Sequence, residues 1–158
     1  MSPDSLDQPP GSAADQRLEL MRQIATEGIP HNRELGLELL DVQGRGCSMR
    51  LPYREDLVGN PVTGVLAGGV VTALLDAACG MAVMVVLESP AAVATLDLRI
   101  DYLRPATARK SLLARADCYR ITQHVAFARA VAYNDDPDDP VASAAGAFML
   151  TRGAGRRR

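Results

Sequence analysis

The chain has no tryptophan and only two phenylalanines among its 158 residues, and aromatic residues make up 4% of it. Any apolar pocket it forms is therefore lined by Leu, Val, Met and Ala. Charge of one sign is also lacking. Seventeen Lys and Arg stand against nineteen Asp and Glu, a net charge of −2, which leaves no basic field for duplex nucleic acid. Cysteine is scarce as well. Cys47, Cys79 and Cys118 are an odd number at long, irregular gaps, which fits neither a disulfide framework nor a zinc site, so they read as reduced core thiols of a cytoplasmic protein. The two histidines, His31 and His124, fall ahead of a hairpin and at a turn between strands, and both read as surface residues.

Hydrophobic residues are plentiful, at 47%, and the length suits one domain, which at this size buries roughly 70% of its unfolded surface. Met1 to Ala14 is rich in Ser, Pro, Asp and Gly and lacks the charged start and apolar run of a secretory signal, so it reads as a disordered tail. The domain is expected over 15–152. Residues 153–158, ending in Arg156 to Arg158, form a short basic tail.

Apolar residues Leu18, Leu20, Met21 and Ile24 recur near the helical period, which predicts a helix over Asp15–Glu27, ending near Gly28. Leu35–Val42 and Cys47–Pro52, joined by Gly44-Arg45-Gly46, predict a hairpin. A polar, turn-rich loop follows from Tyr53 to Thr63. Gly64 to Leu87 is apolar throughout except for Thr72 and Asp76, and reads as one long helix. Its length meets a transmembrane criterion, but the Gly68-Gly69 pair, the central carboxylate and the many alanines suit a helix buried in protein. Val93–Leu103 alternates, with Leu96, Leu98, Ile100 and Tyr102 on one face and Asp97, Arg99 and Asp101 on the other. Ser111–Ile121, Val125–Tyr133 and Pro140–Thr151 are further strands, with a turn at Asn134-Asp135-Asp136-Pro137. The class is therefore α+β, an antiparallel sheet curled around one apolar helix. Such a sheet leaves an edge and an apolar face that call for a second subunit, which predicts a homodimer or homotetramer.

Asp76 is the most informative residue, because a carboxylate amid Leu, Ala, Val and Met is costly to desolvate unless it is paired or reaches a polar cavity. A structural role, accepting bonds from backbone or an Arg, is the alternative to a chemical one. Gly68-Gly69 lies at the start of the helix, where unpaired N–H groups suit a developing oxyanion. Asn60, in the loop ahead, can donate an amide hydrogen bond or simply belong to a turn.

Gly59-Asn60-Pro61-Val62-Thr63-Gly64-Val65-Leu66-Ala67-Gly68-Gly69, running on to Asp76-Ala77-Ala78, and then Thr95-Leu96-Asp97-Leu98-Arg99-Ile100-Asp101-Tyr102-Leu103-Arg104-Pro105-Ala106, resemble the PaaI (phenylacetic acid degradation) type of hotdog thioesterase from about Gly36 to Thr151. The resemblance implies a hotdog fold, hydrolysis of an acyl-CoA thioester, and no cofactor or metal beyond the CoA of the substrate. It implies that Asn60 and the Gly68 N–H polarise the carbonyl, that Asp76 activates water or attacks directly, and that Thr95 holds the water or the carboxylate. It also implies a site between subunits, with Asp76 opposite Asn60 and Gly68. One position departs from the pattern: Ala67 stands where the family has the His of His-Gly-Gly. That departure keeps open a non-hydrolytic acyl-CoA binder or sensor, and it disfavours a dehydratase, which needs a His beside its acid. Arg104, Arg109 and Lys110 cluster where CoA phosphates would be held at a pocket mouth, although a solvated loop has the same composition.

Overall fold

Pro30 and Gly36 divide the N-terminal segment, and the computed structural model, which describes residues 13–88 and 91–152, shows how. Helix α1 (Ala13–Gln23) runs into a widened turn at Ile24–Gly28, and Pro30 then starts a second short helix, α2 (Pro30–Leu35). Leu35 was expected to open a strand. It closes α2 instead, because Pro30 at the first helical position is preset for a helix and Gly36, at φ 70°, ends it. The first expected helix thus begins at Ala13, and the tail reading for residues 1–12 and 153–158 lies outside the described residues.

The hairpin forms as β1 (Glu38–Gln43) and β2 (Gly46–Leu51), turning at Gly44, whose φ of 55° is one that L side chains rarely adopt. The expected polar loop carries more order than its composition suggests. Strand β3 (Val58–Asn60) pairs with β4 (Val65–Leu66) ahead of the long helix α3, so α3 spans Gly68–Val86 and does not begin at Gly64. Gly64, at φ 72°, turns the chain from β3 back to β4 and postpones the helix by four residues.

Four long strands follow: β5 (Ala91–Tyr102), β6 (Leu112–Ile121), β7 (Val125–Tyr133) and β8 (Ala142–Arg152). They join the hairpin in an antiparallel sheet of order β1-β2-β6-β7-β8-β5, which wraps α3 in the hotdog arrangement. The middle strands present small side chains to the helix: Ala126, Ala128, Ala130 and Ala132 on β7, Ala142 and Ala144 on β8. The helix supplies Leu74 and Leu75, which are completely buried and contribute roughly 2 kcal/mol each, and the strands add the large buried residues Met49, Leu51, Leu112 and Phe148. This complementarity lets the helix sit close to the sheet. By length and composition α3 is apolar enough to cross a membrane, but in this fold it is the helix that the sheet wraps.

The two sheet edges differ. Along β1, α1 packs, and Arg22 donates from Nε to the Leu39 carbonyl (3.1 Å) and from Nη2 to that of Leu40 (3.0 Å). No described element pairs with the outer edge of β5. The alternation expected along β5 also breaks. Thr95 pairs with Phe148 and Asp97 with Ala147, so Leu96 is an extra residue in a bulge and is 52% exposed. A bulge shifts the side-chain period by one. Thr95 consequently shares the helix side with Leu98, where uninterrupted alternation would have put the two on opposite faces.

Candidate active site

Asp76 is partly buried, and its Oδ1 accepts a hydrogen bond from the Thr95 hydroxyl at 2.8 Å. Among the described residues no cation pairs with this carboxylate. A structural aspartate would be expected to accept several backbone bonds or an arginine. Asp76 is instead held through one oxygen by a hydroxyl, which fixes the carboxylate and leaves the rest of its acceptor capacity for a ligand. Both residues line a cleft of about 520 Å³ that runs along α3, with Gly69, Thr72, Gly80 and Met84 on the helix wall and Val93, Leu98 and Phe148 across from it.

Gly68 and Gly69 hold the first two helical positions, where N–H groups have no acceptor within the helix. The residue ahead of them, Ala67, offers no side-chain cap. The donors at this positive end of the helix are therefore uncommitted, as an oxyanion site requires. Gly69 faces the cleft, with nothing within 4 Å of where a Cβ would stand, whereas Gly68 packs under the Tyr102 ring. The Tyr102 hydroxyl donates to the Gly68 carbonyl at 2.8 Å and lies 2.7 Å from the Thr72 hydroxyl, which itself donates to that carbonyl at 3.2 Å. Tyr102 and Thr72 thus brace the first helical turn in a chain that has Ala67 in place of a ring. Neither was singled out in the sequence. Thr72 gave a signal as one of two polar interruptions of the apolar run, while Tyr102 looked like one more member of an alternating face.

Asn60 is exposed at the end of β3, and its Oδ1 accepts from the Val62 N–H (3.0 Å) and the Thr63 N–H (3.4 Å). Its side-chain carbonyl is thus spent on its own turn, and its amide N–H groups have no described partner. The loop crosses Ala67 so closely that a Cβ on Gly59 would come within 2.8 Å of the Ala67 Cα, which holds Asn60 beside the helix start. Asn60 and Gly68 do not line the cleft that contains Asp76 and Thr95 in the same chain.

Arg104 is engaged by Asp139, from Nε to Oδ1 at 3.1 Å and from Nη2 to the backbone carbonyl at 2.7 Å, and Lys110 pairs with Asp135 at 2.6 Å. Arg109, at φ 59°, sits against Gly64, and no ion pair is found for its guanidinium among the described residues. His31, expected at the surface, is exposed as expected but also lines the cleft from α2. His124 is exposed at the β6–β7 turn. The three cysteines are buried and unpaired by disulfides, and burial pushes the thiols of Cys47 and Cys79 up to about 12, which keeps them protonated and excludes them as nucleophiles near neutral pH.

Residues 63–141, covering β4, α3 and strands β5 to β7, match the model of the thioesterase superfamily. The chain belongs to that family. Medium/long-chain acyl-CoA thioesterase YigI of Salmonella typhimurium is 29% identical over 150 residues, covering 87% of this chain and 96% of its own. A crystal structure of a Pseudomonas aeruginosa protein is 42% identical, with a TM-score of 0.76 over 84% of this chain and 97% of that one. A variant of the phenylacetic acid degradation protein PaaI from Thermus thermophilus superimposes with a TM-score of 0.65 at 26% identity, over 77% and 98% of the two chains. The chain is thus of the PaaI hotdog type, in a family whose chemistry is thioester hydrolysis.

Proposed function

We propose that this thioesterase hydrolyses acyl-CoA at sites shared between two copies of the chain. One observation carries the reading. Asp76 and Gly68 lie eight residues apart on one straight helix, about 12 Å along its axis. A reacting carbonyl must be about 3 Å from both the oxyanion donor and the group that delivers water. One chain therefore cannot apply its own Gly68 N–H and its own Asp76 to the same thioester. Two antiparallel copies of α3 bring the start of one helix opposite the carboxylate of the other, and the uncovered β5 edge beside α3 supplies a surface for such a pairing.

In that arrangement Thr95 orients Asp76, and Asp76 takes a proton from water as the water attacks the thioester carbon. The carbonyl electrons move onto oxygen, which the Gly68 N–H and the Asn60 amide receive. Collapse of this intermediate breaks the C–S bond and releases the acid, and the thiolate of CoA recovers the proton. Direct attack by Asp76, through an anhydride that water then opens, uses the same contacts. Arg109, with Arg104 and Lys110 after release from their exposed and weakly held partners, meets the CoA phosphates. The size and the apolar part of the cleft lining, with the name of the Salmonella relative, support medium-length acyl chains.

Thiol release over a panel of acyl-CoAs tests the reading. Turnover above background is expected on medium-length chains, and background release on every chain would discard hydrolysis. Ala67 favours the second reading, a binder, which tight binding without turnover would establish. Light scattering at micromolar concentration should show a dimer or tetramer. A folded monomer would remove the shared site.

A further inference from the structure

The cleft wall on α3 has one position that the fold does not explain. Gly80 lies in the interior of a helix, where glycine is among the least favourable residues. Its backbone is not in the left-handed region, and the only atom near a Cβ placed there is Phe148 Cε1, at an ordinary 3.9 Å. Neither conformation nor close backbone approach calls for glycine. What a side chain at this position would fill is the cleft itself.

Along α3 the cleft wall passes from polar to apolar side chains, and Ile29, His31 and Asn32 also line the cleft. Thr72, Asp76 and Thr95 mark the polar end, while Met84, Val93 and Phe148 line the apolar stretch, one to two turns further along α3. An acyl chain whose carbonyl lies at Asp76 finds apolar surface toward Met84, passing over Gly80 after one turn and reaching Met84 after two. We infer that Gly80 is the residue that admits the acyl chain and that Met84 closes its path, so that the cleft accepts unbranched aliphatic acyl groups of limited length. Asp76 to Met84 is about 12 Å, the reach of an extended chain of about ten carbons. The inference rests on the proposed hydrolysis of acyl-CoA and adds the residues that measure the substrate.

The experiment uses the full chain, with kcat/KM determined on straight-chain acyl-CoAs from four to sixteen carbons and binding followed in parallel by displacement of a fluorescent fatty acid. Gly80→Val should lower kcat/KM at ten carbons and above by about tenfold or more and leave the four-carbon substrate within about twofold, a discrimination of the size that a filled apolar pocket gives. Gly80→Ala, which favours the helix, should shift the profile the same way by less, and Met84→Ala should extend it to longer chains. A uniform loss at all lengths, an unchanged profile, or loss of the oligomer on light scattering would overturn the assignment. Absent turnover in the native protein, with probe displacement that depends on chain length and is shortened by Gly80→Val, would uphold the groove and discard the catalytic reading.

Discussion

Asp76→Asn should lower kcat by at least about a hundredfold while leaving oligomer and acyl-CoA binding intact, the scale of a lost general base or nucleophile. The geometry makes this substitution informative. The Thr95 hydroxyl donates to Oδ1, and an asparagine oxygen can accept the same bond, so the side chain stays where it is and loses only its charge and basicity. Steady-state kinetics on the best acyl-CoA, with light scattering and a thermal melt, separates the outcomes. A structural Asp76 would show lowered stability with nearly normal activity per folded molecule. Ala67→His, which restores the family residue, should raise turnover in a weakened hydrolase and leave a non-catalytic binder unchanged. Background turnover in the native protein and in both variants would leave the binding module as the function.

The second large effect is expected at the helix start. Proline is well tolerated at the first helical position, and Ala67, at φ −63° and ψ 141°, already has the conformation required before a proline. The atoms nearest to a Cβ at Gly68 would be those of Tyr102, at 3.6 Å or more, an ordinary contact. Gly68→Pro therefore replaces the N–H by a ring carbon without straining the helix start, and kcat should fall by about a hundredfold or more, as when one oxyanion donor is lost. Gly68→Ala is the control: it keeps the N–H and should keep most of the activity. If the folded Gly68→Pro protein turned over at nearly the native rate, this N–H would not be the donor, and Gly69, which faces the cleft, would be next to test.

Local patterning, in composition, turn residues and apolar runs, predicted the helix around Asp76, the hairpin and the last three strands, because long segments of one character have few alternatives. It also singled out Asp76, since a carboxylate in an apolar run needs an explanation wherever the run folds. The pairing of Thr95 with Asp76 was not legible in that way. Strict alternation puts Thr95 on the face opposite Leu98, and only the extra residue at Leu96, a feature of how β5 meets β8, turns its hydroxyl to the carboxylate. The short strands β3 and β4 were hidden for a similar reason, because two or three residues are too few to show a period, and their pairing depends on Gly64 turning the chain back.

The sequence by itself determined the fold class, the central helix and which residue types are candidates for chemistry, because these follow from burial and residue type at single positions. Tertiary structure alone decided which of them meet. It brought Thr95 to Asp76 and Tyr102 to Gly68 across large sequence separations, and it left Gly68 and Asp76 on one rigid helix, too far apart to act on one carbonyl. Contacts of that kind depend on register, bulges and helix rise, and those are properties of paired elements that no single segment encodes.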